Sequence, residues 1–348
     1  MYDVVIVRGS FAGLAVAMQL RGHRVLVIDQ LPIGARQMSS CGTPLATARA
    51  VGAEGAVQEV HETFVLHAAG REIQLLLREP YVTFGYHAFC KAMLAQTEAE
   101  VWLARASGHA DGVVITSQGR VCARFVVDAT GWRSWRGTAL QPARPVRDAG
   151  YGLETELPVR LTERITPGLH FYLEKHLVRR GYAWVFPCGH STRLGVGSFD
   201  PGLRLRPILD RFLGRFGLRT GATHGGVLAI GRGEPAAGDL WVVGDAAGQC
   251  LPVSGEGIRT AIFHGIHCGR AIAAALRGNM AVDEARHLYS EQVRSTDRFH
   301  HRLLELQTLV AHTPEPLLAL AARIVASSPT LTRGIMDRYL VHSGWFVG

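Results

Sequence analysis

Lysine is almost absent from this chain of 348 residues: only Lys91 and Lys175 are lysines, and the other 35 of its 37 basic residues are arginines. Chemistry that forms a Schiff base or uses a lysine as general base therefore has almost no candidates. The formal net charge of +8 favours anionic partners such as lipid headgroups or acidic substrates. The arginines are scattered and accompany no nucleic-acid-binding motif, so we expect no nucleic acid partner.

Cysteine motifs and long apolar runs are missing as well. The six cysteines include no CxxC pair and show no metal-ligand spacing with the sixteen histidines, so we expect reduced thiols and no metal. No run approaches the roughly 18 to 20 apolar residues that cross a bilayer, and the opening MYDVVIV lacks the order of a secretion signal. With 47% hydrophobic residues, the composition predicts a cytoplasmic globular protein.

The first thirty residues have the pattern of a βαβ unit, with strands at 3–7 and 24–28 and a short helix between them. In the GxGxxG fingerprint of dinucleotide sites, glycines permit a tight turn and let a pyrophosphate touch backbone. Here Arg8 and Ser10 replace the first two glycines and only Gly13 remains. We still predict a dinucleotide site, against the alternative of a βαβ unit without ligand, from Arg8, Gly9, Ser10, Phe11, Ala12, Gly13, Asp29 and Gln30.

Two later strands end in small residues, where a ligand can approach. The strand at 124–128 leads to Gly131, and the strand at 240–243 leads to Gly244 and Asp245. An aspartate at a strand end can hold a ribityl hydroxyl, and the helix that begins near Gly257 offers backbone amides to negative charge. We therefore add to the predicted cofactor site Gly131, Gly244, Asp245, Gly255, Glu256 and Gly257.

The segment 151–231 alternates like antiparallel strands, with a predicted hairpin of 182–187 and 194–199. Period two places Tyr182, Trp184 and Phe186 on one face, as an aromatic wall suited to a ligand tunnel or as part of an ordinary core. From residue 281 the pattern is helical: one amphipathic helix over 284–310 and then two shorter helices.

These motifs together resemble the FAD-dependent geranylgeranyl reductase family, within the p-hydroxybenzoate-hydroxylase-like flavoproteins. The resemblance implies a non-covalent FAD, with Asp29 at the adenosine ribose, Asp245 on the ribityl and pyrophosphate side and Gly255 to Gly257 beside the isoalloxazine. It also implies that isoprenoid double bonds are reduced by hydride from reduced flavin. The matching segments follow the family's order at 3–29, 32–42, 126–131, 182–187 and 244–257.

The resemblance also identifies candidates for the chemistry. Cys41 matches a cysteine that lies near the flavin in archaeal members, and an isolated alkene needs a proton donor held in a water-excluded site. Cys41 or Tyr182 are the candidate donors, and Trp184 belongs to the same aromatic strand. Arg8 and Ser10 depart from the family pattern, and their side chains either weaken FAD binding or bond to the pyrophosphate.

The expected fold is α/β: a Rossmann-like FAD-binding domain with an inserted antiparallel-sheet substrate domain and a C-terminal helical segment. We assign the two parts of the FAD-binding domain to 1–150 and 232–280. The substrate sheet is assigned to 151–231 and the C-terminal helices to 281–348.

The leading hypothesis is a peripheral, membrane-surface oxidoreductase that saturates a polyprenyl chain or prenylated lipid. Its flavin would be reduced by NAD(P)H or a small electron carrier. The alternatives are a flavin-dependent monooxygenase of a hydrophobic or aromatic substrate, and a prenyl-lipid binder that has lost its cofactor. A halogenase is disfavoured because neither Lys91 nor Lys175 lies in a matching motif.

Overall fold

The computed structural model describes residues 1–133, 149–237 and 239–344. These residues form two sheets of eight strands each, with helices packed on both and a helical segment at the C-terminal end. The predicted fold class is confirmed. Residues 134–148, near the end of the first predicted domain segment, lie outside the described residues.

The first sheet is parallel at its centre. Its central strand β1 (Tyr2–Val7) pairs with β2 (Val25–Asp29) on one side and β9 (Gly119–Asp128) on the other, with β6 (Glu100–Leu103) and β16 (Leu240–Val242) outside them. Because β1 has neighbours from different parts of the chain, the carboxyl ends of β1 and β9 form a switch point where ligands bind. Antiparallel strands extend the sheet: β7 (Ala106–Ala110), β8 (Val113–Thr116) and β15 (Ala236–Ala237).

The second sheet combines strands from two distant parts of the chain. The predicted hairpin is confirmed as β12 (Gly181–Cys188) and β13 (Ser191–Ser198). All neighbouring strands in this sheet are antiparallel except β11 and β4, which are parallel. Three of its strands come from residues 42–84, outside the predicted substrate segment 151–231. The predicted domain limits stay a prediction. The remaining strands are β3 (Gly42–Pro44), β4 (Val57–Ala68), β5 (Arg71–Phe84), β10 (Ala149–Leu157), β11 (Leu169–Tyr172) and β14 (Thr223–Ala229).

The C-terminal helices agree with the sequence pattern except at one break. The single helix predicted over 284–310 is wrong: two helices meet at Ser295 and Thr296. None of the helices in the described ranges combines the length and hydropathy that crossing a bilayer requires. The helices are α1 (Phe11–Met18), α2 (Leu45–Ala50), α3 (Tyr86–Leu94), α4 (Leu205–Gly214), α5 (Ile258–Leu276), α6 (Val282–Arg294), α7 (Asp297–His312), α8 (Glu315–Ala326) and α9 (Pro329–His342).

Two glycines let α5 lie directly against α1. A β-carbon at Gly265 would stand 2.6 Å from the carbonyl oxygen of Ala12, and one at Gly269 would stand 2.6 Å from that of Val16. Real β-carbons essentially never come so close to backbone atoms, so neither position has room for a side chain. This contact places the amino end of α1 beside the segment that precedes α5.

We expect Gly269→Ala to lower the free energy of unfolding by about 1 to 3 kcal/mol, because the added methyl group forces the two helices apart. Gly334→Ala in α9 is the matched control, since a β-carbon there meets nothing within 4 Å. Because alanine favours the helix over glycine, this control should gain up to about 1 kcal/mol. Urea unfolding of both variants checks the pair, and equal losses would contradict the packing argument.

Candidate active site

A cavity of about 470 Å³ lies between the two sheets. Its wall includes the start of α1, the loop before β3, the aromatic strand β12, the 243–258 segment and α9. The volume is in the range of small-molecule sites. The fingerprint turn and the aromatic strand are distant in sequence but line the same cavity.

The turn after β1 keeps the backbone geometry of a glycine fingerprint without two of its glycines. Arg8 has φ +83°, the left-handed conformation that glycine adopts without cost. A β-carbon at Gly13 would stand 2.2 Å from the carbonyl oxygen of Arg8, so the third glycine is required for α1 to pack on the turn. Arg8 therefore holds a strained backbone conformation at the first glycine position.

The Arg8 side chain lies along the cavity wall. Its guanidinium donates to the carbonyl oxygen of Thr130 at 3.0 Å and contacts the sulfur of Met38 at 3.3 Å. A β-carbon at Gly131 would stand 3.7 Å from the Arg8 Nη1. The guanidinium thus places a positive charge where the carboxyl ends of β1 and β9 meet the cavity.

Ser10 precedes α1 with φ −112° and shows no backbone strain. Its hydroxyl lies 3.1 Å from the hydroxyl of Tyr86 and does not cap the helix. Phe11 and Ala12, the first two helical residues, line the cavity. Because the first amides of a helix have no intrahelical partner, this uncapped end is suited to bind an anionic group.

Asp29 and Gln30 lie at the end of β2 and do not line the cavity. The Asp29 carboxylate accepts hydrogen bonds from the backbone amides of Gly9 at 3.0 Å and Leu31 at 3.3 Å. Each carboxylate oxygen keeps further acceptor capacity, and both residues remain partly or fully exposed. The structure therefore brings Asp29 to the fingerprint turn but outside the enclosed part of the site.

Asp245 follows β16 in a short turn and lines the cavity. Among the described residues its side chain forms no hydrogen bond. Burial raises the pKa of this carboxyl to about 7, and the nearby Arg8 cation opposes the shift. A ligand hydroxyl would supply the partner that the carboxylate lacks.

The 252–257 loop is fixed by an ion pair that the sequence analysis did not identify. The buried Arg259 binds both carboxylate oxygens of Glu256, at 2.8 and 2.9 Å. The hydroxyl of Tyr339 in α9 donates to the same carboxylate at 2.6 Å and lies 2.8 Å from the Ser254 hydroxyl. Arg259 also donates to Ser343 and Gly344, so α9 and the glycine loop form one unit.

The aromatic residues predicted to share a face of β12 all line the cavity: Tyr182, Trp184 and Phe186. The ring centroids of Tyr182 and Trp184 are 6.0 Å apart, and those of Trp184 and Phe186 are 6.3 Å apart. The Tyr182 hydroxyl donates to the carbonyl oxygen of Ser254, and burial raises its pKa, so this phenol stays protonated near neutral pH. β12 therefore supplies both an apolar wall and a proton-bearing group at the glycine loop.

A polar pair on the same wall, the buried Glu154 and the half-buried His224, has no motif in the sequence. Glu154 of β10 accepts hydrogen bonds from the indole of Trp184 at 2.5 Å and from His224 at 2.9 Å. Both Glu154 and His224 line the cavity. The only sequence signal was the position of Glu154 among apolar and glycine residues of an alternating strand.

Cys41 is fully buried but does not line the cavity, although its neighbours Ser39, Ser40 and Gly42 do. Its backbone is left-handed, with φ +53°, and its thiol donates to the carbonyl oxygen of Ser39 at 3.3 Å. Burial raises the pKa of the thiol well above its usual value. The role predicted for Cys41 stays a prediction.

We expect Asp245→Asn to stabilise the flavin-free protein at pH 8 but not at pH 4. The pKa of Asp245 in the folded protein, about 7, exceeds the unfolded value of about 3.9, so the folded state binds this proton more tightly. The stability that the protonated carboxyl contributes is therefore complete below pH 4 and is lost as the pH rises through 7. At pH 8 the gain should be roughly 2 to 4 kcal/mol. Thermal unfolding between pH 4 and pH 8 measures the stability, with Asp111→Asn at an exposed position as the control. Equal gains for Asp245→Asn at both pH values would contradict the prediction.

A search of protein-family models found no match. Digeranylgeranylglycerophospholipid reductase from Methanospirillum hungatei is 26% identical over 346 residues, covering 85% of this chain and 81% of the relative. The corresponding protein from Methanococcus aeolicus is 29% identical over 139 residues. The alignments with three curated relatives span only 34%, 47% and 31% of those proteins.

Solved structures share the fold. A geranylgeranyl bacteriochlorophyll reductase-like protein from Thermoplasma acidophilum has a TM-score of 0.84 and 22% identity, covering 94% of this chain and 92% of its own. The p-nitrophenol 4-monooxygenase of Pseudomonas putida has a TM-score of 0.77 and 16% identity, covering 100% and 99%. The predicted resemblance is confirmed: this chain is similar to the geranylgeranyl reductase family.

Proposed function

We propose that the protein is an FAD-dependent oxidoreductase that reduces C=C bonds of a polyprenyl chain or prenylated lipid. The observation that carries this proposal is one cavity that joins the fingerprint turn and Asp245 to the aromatic face of β12. A cofactor with a polar tail and a substrate with an apolar chain would meet there. The named relatives act on digeranylgeranylglycerophospholipids, which are lipids with such chains.

The residues present fit an FAD. The amino end of α1 is uncapped, Arg8 supplies a cation, and the Asp245 carboxyl has no hydrogen bond to another described residue. We assign the pyrophosphate to the α1 turn, the adenosine ribose to Asp29 and Gln30 and the ribityl chain to Asp245. The full set is Arg8, Gly9, Ser10, Phe11, Ala12, Gly13, Asp29, Gln30, Gly131, Gly244, Asp245, Gly255, Glu256 and Gly257.

Bound FAD would supply the hydride, and the chain would position the alkene, exclude water and deliver a proton. Tyr182 is the favoured donor, because its phenol lines the cavity beside Ser254 of the glycine loop. Trp184 would orient the prenyl chain while its indole stays bonded to Glu154. Cys41 can act only if the loop of Ser39 and Ser40 turns its thiol into the cavity. The Glu154–His224 pair is a further proton source on the same wall.

We further propose that the enzyme works in the cytoplasm, in peripheral contact with a membrane, and receives electrons from NAD(P)H or a small carrier. Six unpaired cysteines suit a reducing compartment. The net charge of +8 suits an anionic lipid surface.

Anaerobic incubation of the FAD-loaded, dithionite-reduced protein with prenyl diphosphates and prenylated quinones tests the function. We expect products heavier by two mass units for each bond reduced, and flavin absorption bands at roughly 370 and 450 nm before reduction. Hydroxylated products on admission of air would support the monooxygenase alternative instead. Protein that takes up no FAD would support the cofactor-free binder.

We expect Arg8→Gly to weaken FAD binding by about ten- to a hundredfold, although it restores the fingerprint glycine. The substitution would remove a charge-assisted bond to the pyrophosphate, and such a bond is worth about 1.5 to 3 kcal/mol. Titration calorimetry of the apoprotein measures the affinity. Arg180→Gly is the matched control, since Arg180 is also left-handed, at φ +56°, but does not line the main cavity. Tighter binding by Arg8→Gly would show that the arginine obstructs the cofactor.

A further inference from the structure

The outer surface of α8 and α9 is apolar and has no protein partner among the described residues. Five side chains define what we call the α8–α9 face, and 41 to 55% of each is exposed: Leu317, Leu320, Ile324, Leu331 and Ile335. In each helix they recur at intervals of three or four residues, which places them on one side. Isolated exposed leucines are common, but a repeated stripe on two adjacent helices marks an interaction surface.

The two helices lie side by side on the same face of the second sheet. In α8, Ala319 packs against Ala68 and Ile73, and in α9, Met336 packs against Leu77 and Tyr81. The hydroxyl of Thr332 donates to the carbonyl oxygen of Val325 and joins the helices directly. Since their inner sides cover the sheet, their outer sides form one continuous surface towards solvent.

The charges around this face are positive. Arg323 and Arg338 are exposed, and neither forms an ion pair with another described residue. The acidic residues of the two helices are already engaged. Asp337 pairs with Arg78 at 3.2 Å, and Glu315 accepts a hydrogen bond from the backbone amide of Lys175. An apolar surface flanked by unpaired arginines is complementary to a membrane with anionic headgroups.

The α8–α9 face is continuous with the cavity. Ile335 belongs to the face and also lines the cavity. Its neighbours Met336 and Tyr339 line the cavity too. Tyr339 is bonded to Glu256 of the glycine loop. A prenyl chain that left a bilayer at this face would reach the aromatic wall of β12 without crossing water.

We propose that the α8–α9 face is the membrane-docking surface of the protein, inserted among anionic lipids so that the mouth of the cavity opens towards the acyl chains. This inference rests on the proposed lipid-chain substrate and deepens it by naming where that substrate enters. It commits to a lipid surface, and pairing with a second copy of the chain is an outcome of the test.

Vesicle flotation of the full-length, FAD-loaded protein tests the inference. We expect binding to phosphatidylcholine vesicles that contain phosphatidylglycerol and much weaker binding to phosphatidylcholine alone, with loss of binding at high salt. The double variant Leu320→Gln and Ile324→Gln should bind at least about tenfold more weakly, because it removes two exposed apolar side chains that would be buried in the bilayer. The matched control is Leu103→Gln with Ile115→Gln, exposed on the first sheet, which should bind like the wild type.

A charge variant and two further measurements separate the possible failures. Arg323→Glu with Arg338→Glu should remove the preference for anionic vesicles. Reduction of a detergent-dispersed prenyl substrate should be unchanged in both double variants, since none of the four residues lines the cavity. Wild-type protein that reduces this substrate but does not float with vesicles would overturn the docking surface alone. A dimer in native mass spectrometry that the Leu320 and Ile324 substitutions dissociate would overturn it in favour of self-association.

Discussion

The close contact between α1 and α5 is the constraint on which the rest of the site depends. Because Gly265 and Gly269 have no side chains, α5 lies against the backbone of α1. Gly244 adds to this contact, since a β-carbon there would stand 2.9 Å from that of Ala12. The amino end of one helix and the carboxylate before the other therefore face the same cavity, although about 230 residues separate them.

Local sequence patterns predicted those parts of the structure that depend on neighbouring residues. The βαβ unit and the 181–198 hairpin follow from short-range alternation and turn residues. The break between α6 and α7 was missed, because Ser295 and Thr296 are ordinary residues in an amphipathic pattern and neither proline nor glycine marks the boundary. The membership of 42–84 in the second sheet depends on strand pairing at long range, which no local pattern encodes.

The site was predictable where backbone geometry restricts the residue type and less so where side chains meet across the fold. Gly13 is required by its contact with the carbonyl of Arg8, and its spacing indicated the turn. The Glu154–His224 and Glu256–Tyr339 contacts join residues 70 and 83 positions apart, and neither pair forms a motif. Cys41 matched the family pattern, but that pattern did not indicate that its thiol is buried outside the cavity lining.

The parallel pairing of β11 with β4 has a consequence for the order in which the protein folds. Residues 169–172 complete the sheet beside residues 64–67, and the aromatic strand β12 then pairs with β11. During synthesis, the long β4–β5 hairpin, which ends at residue 84, keeps an unpaired edge until β11 has been made, 85 residues later. A nascent chain of this protein therefore exposes an open strand for several seconds at ordinary translation rates, and it would be a natural client of chaperones that shield such edges.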